Sequence, residues 1–216
     1  MPNSRKARPM SSLNFQLDQN IPLVADASII INLNATGAAS EIIAALPRPL
    51  LVTENACSEL EVGAGRGYDD HAQLMKLICA GFVSRVPLAG GALAIFERLV
   101  DGASAQTLDD GEAATIAYVS CNAAIPVLDE RKARRVCAAE FPNVRMLSSA
   151  ELLIHRRFAE SVGRARQVEL IVNALKIGRM RVSAELVEDI RALIGDERAA
   201  QCASLPKRIR TAVSSN

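Results

Sequence analysis

The feature that most constrains this chain is the run Leu23-Val24-Ala25-Asp26-Ala27-Ser28-Ile29-Ile30-Ile31, apolar except for one acid and one hydroxyl. A run of this kind reads as a buried parallel strand, and Asp26 stands where that strand should stop and a helix should begin. Two readings of the acid follow. Asp26 or Ser28 can cap the helix, because short oxygen side chains satisfy the free N–H groups at a helix start. Alternatively the acid belongs to a site, since open α/β sheets place theirs beyond the carboxyl ends of the strands, where an acid can hold a metal over a crevice.

The rest of the chain repeats the motif. Strand candidates Leu50-Leu51-Val52, 82–86, Ile125-Pro126-Val127-Leu128 and 144–147 alternate with helical stretches. Those stretches run from Ala27 to near Gly37, over 41–46 before Pro47 and Pro49, over 54–62 with Thr53 as cap, over 69–80 closed by Gly81, and over 92–100. Leu108-Asp109-Asp110-Gly111-Glu112 opens a strongly apolar helix, 131–140 is a basic one, and Ser148-Ser149-Ala150-Glu151 has capping-box spacing. This rhythm predicts an α/β fold around a central parallel sheet of about five strands with right-handed crossovers. An interior built from Ala, Val, Ile and Leu suits it, because aromatics are only 3% of the chain and Trp is absent. The same scarcity argues against an aromatic single-strand reader of the OB or RRM type.

Beyond Arg157 the pattern turns wholly helical, over 162–176 and, after a cap at Ser183, over 183–194. Leu186, Ile190, Leu193 and Ile194 share a face that should dock on the body or on a second copy. Within 216 residues this gives one core with an appendage. The expected parts are a disordered leader over 1–20, the α/β domain over 21–157, a helical extension over 158–195, and a basic flexible tail over 196–216.

The net charge of +1 hides polarity: between Arg131 and Arg181 stand twelve Lys and Arg against four Asp and Glu. Such a segment could hold a polyanion against an acidic cluster, although a solvated helix face gives the same count. Cys57, Cys79, Cys121, Cys137 and Cys202 are odd in number and widely spaced, which favours reduced thiols and a cytoplasmic protein over a disulfide framework. With only His71 and His155 besides, a zinc site is not expected. No apolar signal region or membrane span is legible. Gly63-Ala64-Gly65-Arg66-Gly67 is not a phosphate loop, because these glycines follow a helix where nucleotide loops follow a strand. They read as a mobile connection whose Arg66 can brush a substrate.

Four acids remain: Asp26, Glu59, Glu112 and Asp129. Glu59 could be a solvated face residue, Glu112 could close a capping box with Asp109, and Asp129 could cap the helix that follows. Those separate roles leave their convergence unexplained, since acids at the ends of parallel strands emerge at one edge of the sheet. Carboxylates crowded into a cleft repel one another and resist burial. Mg²⁺ or Mn²⁺ relieves this, prefers oxygen ligands, and can neutralise charge on a phosphodiester in its transition state.

Val24-Ala25-Asp26-Ala27-Ser28, Ala56-Cys57-Ser58-Glu59-Leu60, Leu108-Asp109-Asp110-Gly111-Glu112-Ala113 and Val127-Leu128-Asp129-Glu130-Arg131-Lys132-Ala133-Arg134 together resemble the PIN-domain nucleases over about 21–147. Arg181-Val182-Ser183-Ala184-Glu185-Leu186-Val187 resembles a bacterial and archaeal branch of that family. The resemblance implies a three-layer α/β/α fold and Mg²⁺- or Mn²⁺-dependent cleavage of RNA, as in the toxins of toxin–antitoxin pairs, with an antitoxin partner and a homodimer. It implies that Asp26, Glu59, Glu112 and Asp129 bind the metal and that Ser28 supports the first of them. Glu130 would support the ligands or substitute for one, Asp110 would assist with Asp109 competing for the cap, and Arg134 would orient the acidic edge or meet phosphate; Arg66 and Arg131 are the further candidates for contact with nucleic acid. The chain is longer than the compact toxins. A binding or interaction module that keeps the fold but cleaves poorly is the alternative.

Overall fold

Leu23, Val24 and Ala25 are wholly buried and form β1 (Leu23–Ala25), a central strand of the sheet. The computed structural model describes residues 21–46, 48–101 and 107–210. β2 (Leu50–Thr53), β3 (Val83–Val86) and β4 (Ile125–Val127) complete a sheet of order β3-β2-β1-β4, parallel throughout. Leu23 pairs with Leu50 on one side and Ile125 on the other. The chain therefore leaves β1 toward β2 and returns through β4 to its opposite flank. That reversal between β1 and β4 is a topological switch point, where a crevice opens at the carboxyl edge.

The helices are α1 (Ala27–Ala35), α2 (Ala39–Ala45), α3 (Glu54–Ala64), α4 (Asp70–Cys79), α5 (Gly91–Asp101), α6 (Asp110–Cys121), α7 (Arg131–Glu140), α8 (Ser149–Ile154), α9 (Arg156–Val162), α10 (Arg164–Lys176), α11 (Val187–Ile194), α12 (Asp196–Ala200) and α13 (Lys207–Arg210). One apolar cluster gathers Leu99, Leu108, Ile116, Val136 and their neighbours from α5, α6 and α7. The larger cluster joins the sheet to α1, α8, α10 and α11. Helices thus flank the sheet in the three-layer arrangement expected, around four strands.

The fifth strand is a correction. Val144 N–H is turned back onto Phe141 O, and Ser148 already caps α8, so only Leu147 is free to pair, in a single bridge to Val127. Three further differences lie in the helical half. Gly163, at φ 80°, starts the helix expected over 162–176 at Arg164, as α10, and separates it from an α9 that was not expected. Residues 183–186 form a turn closed by Leu186 N–H on Ser183 O, so α11 begins at Val187. The segment expected as a flexible tail from 196 forms α12 and α13 up to Arg210, because Ala199, Cys202, Leu205 and Ile209 bury themselves in the larger cluster. The leader over 1–20, Pro47 and residues 211–216 lie outside the described residues. α3 runs through Gly63 and Ala64, so the glycine stretch is partly helix. Val187, Ile190 and Ile194 of α11 are buried against the chain's own body. All five cysteines are free, and among the described residues no single helix is long and apolar enough to cross a membrane.

Candidate active site

Asp26 is 1% exposed at the start of α1. Its Oδ1 accepts from Ile29 N–H at 2.9 Å and from Ser28 Oγ at 2.8 Å. The cap reading is therefore right for one oxygen, and Ser28 supports the carboxylate as expected. Oδ2 is buried without a hydrogen-bond partner. A buried acceptor left unmatched is costly, so a native one asks for a reason. Burial pushes the Asp26 carboxyl up to about 8, backed by the negative charges of Asp129 and Glu112.

Asp129 follows β4 by two residues and stands across the switch point. It does not cap α7. Its Oδ1 accepts from Ser149 N–H at 2.8 Å, in the first turn of α8, and its Oδ2 from Asn32 Nδ2 at 2.7 Å. Burial raises its pKa against those hydrogen bonds. Glu112 lies in the first turn of α6, where it accepts from Asp109 N–H. That is half of a capping box, because the Asp109 side chain caps nothing. Desolvation, then the charge of Asp109, pushes Glu112 up to about 7. Glu59 is on α3, accepts from Gly111 N–H, and is raised by desolvation and by Asp109. Gly111 makes this possible, since a Cβ there would stand 2.5 Å from Glu59 Oε2.

All four acids line one cavity of about 250 Å³ at the carboxyl edge, with Asp109, Glu130 and Asn32. Glu130 is half-buried and paired with Arg181. A larger cavity of about 910 Å³ shares Glu59 and Asp109 with the first and adds Asp110, Arg66 and the exposed Tyr68. Arg131 is exposed and lines neither cavity. Arg134 is committed to backbone, donating to Leu128 O and Leu147 O at 3.0 Å each, so it ties the acidic edge together. Its guanidinium also favours the Asp129 carboxylate.

A family model described as a PIN domain matches residues 22–196. The chain belongs to the PIN-domain family. PIN domains are typically nucleases, and the match supports a nuclease-like fold. No curated protein and no solved structure matches the chain.

In this PIN domain the acids share a cavity without closing into a preset group: among the described residues no three Asp, Glu, His or Cys side chains stand ready to hold a metal. The donor set still fits a hard divalent cation. It consists of oxygens alone, one of them the partnerless Asp26 Oδ2, and an ion that keeps several waters needs no closed cage. Sequence reasoning missed Asn32 and Ser149, which hold Asp129, and the Gly111 that seats Glu59. Asn32 had a signal, an amide among Ile29, Ile30, Ile31 and Leu33. Gly111 had one too, a glycine inside an apolar helix.

Proposed function

We propose that this PIN domain is an endoribonuclease that hydrolyses RNA phosphodiester bonds with Mg²⁺ or Mn²⁺ held by Asp26, Glu59, Glu112 and Asp129. The observation that carries the reading is the buried, partnerless Oδ2 of Asp26 in a cavity with three other carboxylates whose pKa values are all raised. Raised acids of this kind are costly to a fold and gather where charge is put to use. When bound, the cation would supply Lewis acidity toward the phosphodiester and lower the pKa of an attacking water. The chain's own residues do the positioning. Ile29 N–H and Ser28 fix one Asp26 oxygen, leaving the other for the ion, and Ser149 with Asn32 orients Asp129. The larger adjoining cavity offers room for the strand beside the reacting phosphate, with Arg66 on its wall. RNA as substrate, an antitoxin that restrains the enzyme, and a homodimer form part of the same proposal.

The test is a cleavage assay on mixed RNA, with and without Mn²⁺, for wild type, Asp26→Asn and Asp129→Asn. Products that need the metal and disappear in both variants are expected. Cleavage that is equal in all three proteins would point to a contaminant, and tight RNA binding without cleavage would favour the non-catalytic module.

A further inference from the structure

One wall of the acidic cavity comes from outside the sheet. Gly178, Arg179 and Arg181, in the loop between α10 and α11, line it together with the four acids. Two contacts fix that loop. Gly178 passes so close to α1 that a Cβ would stand 2.8 Å from Asn32 Oδ1 and 3.0 Å from Ala35 Cβ. Met180 is 1% exposed, and its N–H donates to Ala174 O at 2.9 Å. Between these anchors Arg179 is held at φ 54°, the one non-glycine with positive φ among the described residues. Residues other than glycine adopt that conformation uncommonly, and here the Met180 bond to Ala174 O, which closes the end of α10, holds Arg179 in it.

The two arginines differ in what they hold. Arg181 is paired with Glu130. Arg179 is exposed and has neither a hydrogen bond nor an ion pair among the described residues. Were it a counter-ion to the acids it would pair with one of them, as Arg181 does. Instead an unengaged guanidinium is presented at a cavity whose other charged groups are acids and the Arg181 already paired with one of them, and its fork of donors matches two phosphate oxygens. We propose that Arg179 binds a phosphate of the nucleic-acid strand at the acidic cavity, so that the helical extension completes the substrate site. This inference rests on the nuclease reading above.

The experiment measures binding of a labelled single-stranded RNA oligonucleotide across salt concentration, in an Asp26→Asn background that blocks cutting. Arg179→Ala should weaken binding roughly tenfold and lower the slope of log affinity against log salt by about 0.7, the value for one phosphate contact on a single strand. Arg179→Lys should keep the slope. Arg156→Ala, which removes the same charge from α9, should leave binding unchanged. In the cleaving background, Arg179→Ala should lower kcat/KM at least tenfold while the Mn²⁺-induced rise in Tm stays at its wild-type value, because the acids are intact. Arg179→Gly should melt no lower than wild type, since glycine accepts the positive φ, yet bind as poorly as Arg179→Ala. If the wild type cuts RNA and Arg179→Ala matches its rate and its salt slope, the assignment is overturned and the nuclease reading stands. If the wild type neither cuts nor binds the oligonucleotide, both fall.

Discussion

Burial carries the Asp26 carboxyl from 3.8 to about 8 and that of Glu112 from 4.5 to about 7. Without a cation the folded chain therefore keeps protons that the unfolded chain loses above pH about 4, and stability falls as pH rises from there toward 8. In EDTA the melting temperature should drop between about pH 5 and pH 8, and Asp26→Asn should flatten that slope and melt higher than wild type at pH 8. An unchanged slope in the variant would place the cost elsewhere. Gly111 offers a second test at this scale. The Cβ of Gly111→Ala would meet the mobile end of Glu59, while alanine in a helix gains up to about 1 kcal/mol over glycine. The variant should melt at or above the wild-type temperature and yet cut RNA at least tenfold more slowly. Asp26 and Asp129 were legible because each follows the end of an apolar strand, and Glu112 because it stands in the first turn of an apolar helix; Glu59 was legible only through its place in the ordered set of motifs. Asn32 was not, because an amide inside an apolar helix has no local reason to be there; its partner Asp129 is 97 residues away.

The elements divide by how local their causes are. Four strands and the helices between them could be read because apolar runs end at caps visible in the sequence: Asp26, Thr53 and Ser148 all cap as expected. The fifth strand failed because the turn at Phe141–Val144 leaves only Leu147 to pair before the cap at Ser148, and that turn is not visible in hydrophobicity. The capping box of α8 has a second task, since Ser149 N–H in its first turn holds Asp129. Ser148→Ala should cost about 1 kcal/mol, read as a lower midpoint in urea, and should also slow cleavage by loosening Asp129. A loss of stability with unchanged cleavage would separate the helix from the site.

For the molecule as a whole, the larger apolar cluster runs from Leu23 to Ile209 without a break. The helical half is thus part of the same core as the sheet. A chain ended after Val162 would expose the faces that α10 and α11 cover, and should show no cooperative melting; a sharp transition would mean that the α/β part folds alone. The contribution of 196–210 was hard to read because Ala199, Cys202, Leu205 and Ile209 have helical spacing but fall in pieces too short to show a period. The same continuity brings a loop from the helical half onto the acidic cavity, which no stretch of the sequence announces. Family membership fixes the fold and the expectation of nuclease chemistry, while the cavity supplies the reason for the acids to be there. Titration calorimetry with Mn²⁺ on the wild type, Asp26→Asn and Asp129→Asn tests that reason most directly. Binding that strengthens from about pH 6 to pH 8 in the wild type and is lost in both variants is the predicted result; no binding heat in the wild type, or equal binding in all three, would contradict it.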